Sequence, residues 1–167
     1  MKSSPSSISG FTLTELLVVI TVAGILATIA IPSFKSLSQS QRVKNASFEL
    51  YSSLSLARSE AIKRNNDVTM TPVAYSVTSP APTHNEFGWT IAANNVPIRN
   101  LPQMKGIAIT ANGLNNSGGI TYQRTGRATT TPIILIDAYG TTTPYASCVK
   151  IELSGMPRIY KPVNGAC

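Results

Sequence analysis

Few side chains in this sequence have a type and spacing that would support catalysis. The single histidine, His84, lies in a stretch rich in proline and threonine, far from either cysteine, so neither a nucleophile–base pair nor a zinc site is indicated. The acidic residues are scattered, and the sequence contains no glycine-rich phosphate-binding motif. We therefore predict a protein that is not an enzyme and that has no catalytic residues, bound metal or cofactor.

Glu15 is the one carboxylate in an unusual setting. It is the single charged residue within 21 consecutive residues, from Phe11 to Ile31, that are mostly Leu, Val, Ile and Ala. A helix of that length is about 31 Å long, close to the thickness of the hydrocarbon core of a bilayer. Because a carboxylate in such surroundings is unfavourable unless it is paired, we predict a transmembrane helix in which Glu15 needs a partner.

The residues around Glu15 resemble the class III signal of type IV pilins and pseudopilins. Residues 10–15 read G-F-T-L-T-E before the apolar run, and Pro32 stands where these proteins commonly carry a helix-bending proline. The resemblance implies that a prepilin peptidase cleaves between Gly10 and Phe11 and N-methylates Phe11. It also implies that Glu15 pairs with the terminal amine of a neighbouring subunit during assembly.

The same resemblance divides the chain into three parts. Residues 1–10, which include Lys2, are the expected leader peptide, and residues 11–31 are the transmembrane and filament-core helix. Residues 32–167 are the expected periplasmic globular domain, since a cation at the amino end favours retention of that end in the cytoplasm. The predicted location is the bacterial inner membrane before assembly, as a single-pass protein, and a filament after it.

Beyond Pro32 the apolar residues first follow the period of a helix and then that of strands. A helix to about Arg64 would bury one face, made of Val43, Ser47, Leu50, Leu54, Ala57 and Ala61 and widened by Phe48, Tyr51 and Ile62. Strands are predicted at residues 68–73, 87–92, 107–111, 120–122, 133–137 and 148–153. Loops are predicted at residues 78–85, 94–102 and 141–144. The expected fold is α+β and pilin-like, with one long helix, transmembrane in its first half and amphipathic in its second, packed on antiparallel β-sheet.

The end of the predicted helix narrows the family resemblance. The run A-R-S-E-A-I-K-R-N at residues 57–65 is similar to the GspH/FimT branch of minor pilins and pseudopilins. The implied function is a subunit that assembles into or primes a type IV pilus or a type II secretion pseudopilus. Its implied partners are other major and minor subunits, the prepilin peptidase and the inner membrane. Both machines use the same signal and helix, so both stay open as alternatives.

The only two cysteines, Cys148 and Cys167, lie near the carboxyl end of the chain. In an exported domain an even number of cysteines favours a disulfide. Two thiols without a nearby histidine make a poor metal site. We therefore predict a disulfide between Cys148 and Cys167.

The basic residues suggest a second candidate function. The formal net charge is +7, which favours acidic partners but is also what a solvated basic face would give. Within the same family, a competence-associated branch binds DNA through a Gly-Arg-x-Arg motif, and the equivalent stretch here is Gly155-Met156-Pro157-Arg158, with Met156 in place of the first arginine. The resemblance implies DNA capture in natural transformation, through Arg124, Arg127, Lys150, Arg158 and Lys161. The structural alternative is a sheet edge whose cations discourage pairing with another edge.

Overall fold

The computed structural model describes residues 11–72, 88–101, 104, 106–112, 119–138 and 145–167. The predicted leader at residues 1–10, the predicted loops at 78–85 and 141–144, and His84 lie outside these residues. The described elements are one helix, α1 (Leu13–Arg64), and the strands β1 (Val68–Pro72), β2 (Trp89–Ala93), β3 (Val96–Leu101), β4 (Ile107–Asn112), β5 (Ile120–Tyr122), β6 (Ile133–Ala138), β7 (Ser147–Ile151) and β8 (Pro157–Tyr160).

Helix α1 continues through Pro32, as the sequence predicts, and ends at Arg64. A proline inside a helix removes one backbone hydrogen bond but does not have to end the helix when apolar periodicity resumes beyond it. Contacts divide the chain into two compact units, Met1–Ser38 and Gln39–Cys167. Both units therefore contain part of the same helix.

The part of α1 in the second unit buries one narrow face. Val43, Ser47, Leu50, Leu54, Ala57 and Ala61 are buried as predicted, together with Ala46 and Ser53. The predicted widening of this face is wrong for Phe48 and Ile62, whose side chains are 66% and 49% exposed. Many of the buried helix residues are small, which lets the strands approach closely and leaves no room to cover the larger side chains beside them.

The strands form two antiparallel sheets rather than one. The first sheet has the order β3-β2-β1-β5, and the second has the order β4-β6-β7-β8. Alternate residues of β1, β2, β6 and β7 point into a common core with the buried face of α1, including Met70, Trp89, Ile91, Ile134, Ile136, Val149 and Ile151. The α+β class and the antiparallel pairing are confirmed, whereas the division into two sheets was not predicted.

Two strands, β3 and β8, were not predicted from the sequence. Residues 94–102 were predicted to be a loop, but Val96–Leu101 form β3, paired with β2. The connection is a two-residue turn in which Asn94 and Asn95 have φ angles of 49° and 63°, a left-handed conformation that asparagine tolerates. As an edge strand, β3 has only Leu101 fully buried, so it lacks the alternation that identifies a strand. The four-residue β8 begins at Pro157, which is acceptable only at a strand start or an edge.

The structure contains the disulfide between Cys148 and Cys167, whose Cα atoms are 5.8 Å apart. Cys148 is buried in β7, and the disulfide ties residue 167 to it. The tail also makes its own turn, in which Val163 and Ala166 exchange backbone N–H···O bonds of 3.0 and 3.1 Å. Residues that would otherwise fray are therefore held against the second sheet.

Removal of this disulfide should destabilise the second unit without abolishing its fold. The double variant Cys148→Ala/Cys167→Ser should lose about 3 kcal/mol of unfolding free energy, since the crosslink closes a loop of 19 residues in the unfolded chain. Urea unfolding of the full chain in detergent micelles can be followed by the fluorescence of Trp89, the only tryptophan, which is buried in this unit. Wild-type protein under reductant is the control and should match the variant. An unchanged midpoint would contradict a stabilising role for the disulfide.

Candidate assembly signal and basic surface

The first part of α1 has an apolar surface that no residue in the described part of the chain covers. Its large side chains are exposed, among them Leu17, Ile20, Ile25, Ile29 and Phe34. By length and composition α1 could cross a membrane, and none of its most apolar window is buried. Two hydroxyls in this stretch donate to carbonyls of their own helix, Thr21 to Val18 at 2.8 Å and Thr28 to Ile25 at 2.7 Å. The surface is therefore apolar even where the sequence has threonine, which suits lipid or other apolar helices.

Glu15 makes a reciprocal cap with Thr12 at the start of α1. The backbone N–H and the hydroxyl of Thr12 donate to Oε2 of Glu15 at 3.0 and 2.9 Å, and the N–H of Glu15 donates to Oγ1 of Thr12 at 3.3 Å. This is a capping box, in which two otherwise unpaired backbone donors are satisfied. Sequence reasoning missed this second role, although the T-x-x-E spacing of residues 12–15 is its signature.

The cap leaves Glu15 able to bind a cation. All the hydrogen bonds that it accepts in the described part of the chain go to Oε2, and Oε1 is free to accept another. Phe11 lies exposed just before the cap, and an acidic group in the first turn of a helix is favoured by the helix dipole. The carboxylate of Glu15 is thus oriented by hydrogen bonds within its own helix, at the amino end of the apolar part of α1.

The basic residues predicted to bind DNA occupy two neighbouring segments and a tail. Arg124 and Arg127 lie in the turn after β5, Lys150 and Arg158 face each other across β7 and β8, and Lys161 follows β8. The turn after β5, which contains Gly126, touches the turn between β7 and β8, which contains Gly155. The contact is so close that a Cβ on Gly155 would overlap the carbonyl oxygen of Gly126. One cation is already engaged, since Nε of Arg158 lies 3.0 Å from Oε1 of Glu152. The structure therefore brings together the two turns near which these cations lie, and one of the cations, Arg158, is already paired.

Arg58 connects these turns to the helix and was not singled out from the sequence. Its Nε donates to the carbonyl of Gly126 at 3.0 Å, and its Nη1 lies 3.5 Å from the sulfur of Met156. The side chain thus joins α1 to the turn after β5 and to the turn between β7 and β8. Its position four residues after the buried Leu54 places it beside the core face, which is the clue that the sequence offered.

Three titratable groups near these elements have shifted pKa values. Burial raises the pKa of the Tyr122 phenol, and burial also raises the pKa of the Asp137 carboxyl. The hydrogen bond from Arg64, with an Nε to Oε2 distance of 2.6 Å, lowers the pKa of Glu60. None of these groups has the geometry of an acid–base pair, and no cluster in the described residues has the three ligands that a metal ion needs.

The solved structures with this fold include a type IV minor pilin and a minor pseudopilin. The type IV minor pilin FimU of Pseudomonas aeruginosa is 19% identical, with 74% of this chain and 90% of that chain covered at a TM-score of 0.53. The minor pseudopilin EpsH of the Vibrio cholerae type 2 secretion system is 16% identical, with 72% and 98% covered at a TM-score of 0.53. At these identities the likeness shows the fold alone. No match was found among curated proteins.

Two family models match the sequence, one in each unit. The prokaryotic N-terminal methylation motif matches residues 5–31, the stretch that contains Glu15 and the start of α1. The model described as type II transport protein GspH matches residues 46–155, from the buried face of α1 to the turn between β7 and β8. The second match spans more than half of the chain, and it includes Arg58, Gly126 and Gly155. The chain belongs to the GspH family.

Proposed function

We propose that this protein is a minor pilin or pseudopilin, which a prepilin peptidase processes and which assembles into or primes a filament. The observation that carries the proposal is the order of features along the chain: a methylation motif at residues 5–31, then an apolar helix, then a domain of the GspH family. The named relatives of the same fold, FimU and EpsH, are a type IV minor pilin and a minor pseudopilin.

The proposed mechanism of assembly uses the first part of α1 twice. In the inner membrane its apolar surface is solvated by lipid, and in the filament the same surface packs against the helices of neighbouring subunits. Glu15 supplies the register, because its carboxylate is satisfied only where a neighbour presents its terminal amine. The second unit, on the exported side of the membrane, is displayed outward to contact other subunits.

The filament that the protein joins is either a type IV pilus or a type II secretion pseudopilus. The family description names type II transport, and the similar structures include a subunit from each machine. Deletion of the gene should remove either surface pili or secretion of exported proteins. These two phenotypes are scored independently and identify the machine.

Processing is the first testable step of this function. Mass spectrometry of the protein from cells with an active prepilin peptidase should find a chain that begins at N-methylated Phe11, without residues 1–10. Protein from cells without the peptidase is the control and should keep the leader. An intact leader in peptidase-positive cells, under conditions where other prepilins are cleaved, would contradict the proposal.

A further inference from the structure

Four exposed apolar side chains lie on the hairpin of β7 and β8 and on the part of α1 beside the turn that this hairpin touches. Leu153 and Met156, in the turn between β7 and β8, are 66% and 49% exposed, and Ile159 on β8 is 43% exposed. Ile62 of α1 lies against Gly126, since a Cβ on Gly126 would overlap its Cδ1 atom, and Gly126 in turn touches Gly155 in the turn between β7 and β8. We call these four residues the apolar corner. Clusters of exposed apolar residues often mark surfaces that contact another molecule.

The apolar corner is held in place before any partner arrives. Arg58 joins its two turns by donating to Gly126 and contacting Met156, and Gly155 packs directly on Gly126. Within the turn, the N–H of Gly155 donates to the carbonyl of Glu152 at 2.8 Å. A preformed surface binds more tightly, because little conformational entropy is lost on binding.

Strand β8, which carries Ile159, lies at the edge of its sheet and has one side available for pairing. In the described residues, β8 pairs with β7 only. The N–H of Glu152 donates to the carbonyl of Met156 at 3.1 Å, so by alternation Arg158 and Tyr160 also bond towards β7. The N–H and carbonyl of Ile159 therefore point away from the sheet, where an extended segment can bond to them.

The charges around this edge select an acidic partner. Arg158 lies on β8, Lys150 lies opposite it on β7 and Lys161 follows β8, whereas the carboxylate of Glu152 is already paired with Arg158. A second copy of this chain would bring the same cations against one another, which is unfavourable. Nucleic acid fits less well, because Leu153, Met156 and Ile159 would stay exposed beside a phosphate backbone.

We infer that the apolar corner and the edge of β8 bind an extended segment of a different protein, in which acidic residues alternate with aliphatic ones. The segment adds a strand beside β8, its aliphatic side chains cover Ile159 and Leu153, and its carboxylates lie on the opposite face, where Arg158 and its cross-strand partner Lys150 lie. This inference rests on the proposed function only for the source of the segment, which is a neighbouring subunit of different sequence.

The test uses the full chain in detergent micelles and a fluorescein-labelled synthetic peptide of alternating glutamate and valine. Fluorescence polarisation should show binding of this peptide, and a lysine–valine peptide of equal length should bind about tenfold more weakly or not at all. Leu153→Asp and Ile159→Asp should each weaken binding about tenfold, because both replace an apolar contact with the aliphatic side chains of the peptide by a carboxylate that the bound peptide would desolvate. The matched control is Val96→Asp, an exposed position on β3 of the other sheet, which should bind like wild type. Trp89 fluorescence verifies that each variant is folded.

Three results would overturn the inference. The first is no binding of the acidic peptide, and the second is an equal loss of binding in Val96→Asp and the corner variants. The third is tighter binding of a single-stranded DNA oligonucleotide of equal charge, which would make this surface a nucleic-acid interface. Glu15→Ala should leave peptide binding unchanged, so a failure of the assembly proposal is distinguishable from a failure of this one.

Discussion

Replacing Glu15 with alanine is expected to lower incorporation of this protein into filaments about tenfold or more, because the neighbour's terminal amine then enters an apolar bundle without a counter-charge. The comparison is the fraction of the protein in sheared or purified filaments against the total in membranes, measured by immunoblot. Membrane insertion should not change, since an alanine only makes the helix more apolar.

The capping box complicates the alanine variant, and a second substitution resolves the complication. Alanine removes both the charge and the acceptor that Thr12 uses at 3.0 and 2.9 Å. Glutamine keeps an acceptor at the same position of the capping box but carries no charge. If assembly depends on the ion pair, Glu15→Gln should fail as completely as Glu15→Ala. Normal assembly of Glu15→Gln would mean that the carboxylate serves the helix start alone, and normal assembly of both variants would remove Glu15 from the mechanism.

We expect Gly155→Ala to destabilise the second unit more than an alanine at any other described glycine would. Gly155 has a φ of 81°, a left-handed conformation that costs a residue with a Cβ about 1–2 kcal/mol. The new Cβ would also overlap the carbonyl oxygen of Gly126, which is backbone and cannot rotate away. Overpacking of this kind adds about 1–3 kcal/mol, so we expect a total loss of about 3 kcal/mol.

The measurement is urea unfolding followed by Trp89 fluorescence, with Gly24→Ala as the matched control. A Cβ on Gly24 would meet nothing within 4 Å, and Gly24 lies in the first unit, so the control should unfold with the wild-type midpoint. Gly155→Ala should also weaken the contact of Arg58 with Gly126, because the two turns must separate. If Gly155→Ala unfolds at the wild-type midpoint, the two turns can separate without a loss of stability, and the prediction is wrong.

The sequence was most informative where a single periodic face decides the structure. Leu50, Leu54, Ala57 and Ala61 recur at helical spacing over several turns, and each is buried as that spacing predicts. β5 was placed at its observed bounds, because Ile120 and Tyr122 both face the core and turn residues flank the strand. Local pattern and burial agree at these positions, and no distant contact has to be known.

Features that depend on distant contacts were not predictable in this way. The exposure of Phe48 follows from how closely the sheets approach α1, which a helical wheel does not contain. The separation of β4 from β3 into another sheet depends on pairing with β6, far along the chain. The contact between Gly126 and Gly155 joins two turns that look unremarkable separately, and the role of Arg58 is visible only once they meet.

The disulfide gives the proposed route of maturation an order in time. Thiols in the cytosol are kept reduced, and disulfides form in compartments that are oxidising. On the proposed export route, the segment after β8 is untethered during synthesis and is joined to β7 only after translocation, when Cys148 and Cys167 can meet an oxidant. On that route the crosslink would mark a subunit that has already crossed the membrane, and folding of the second unit would be completed on the side where the proposed filament forms.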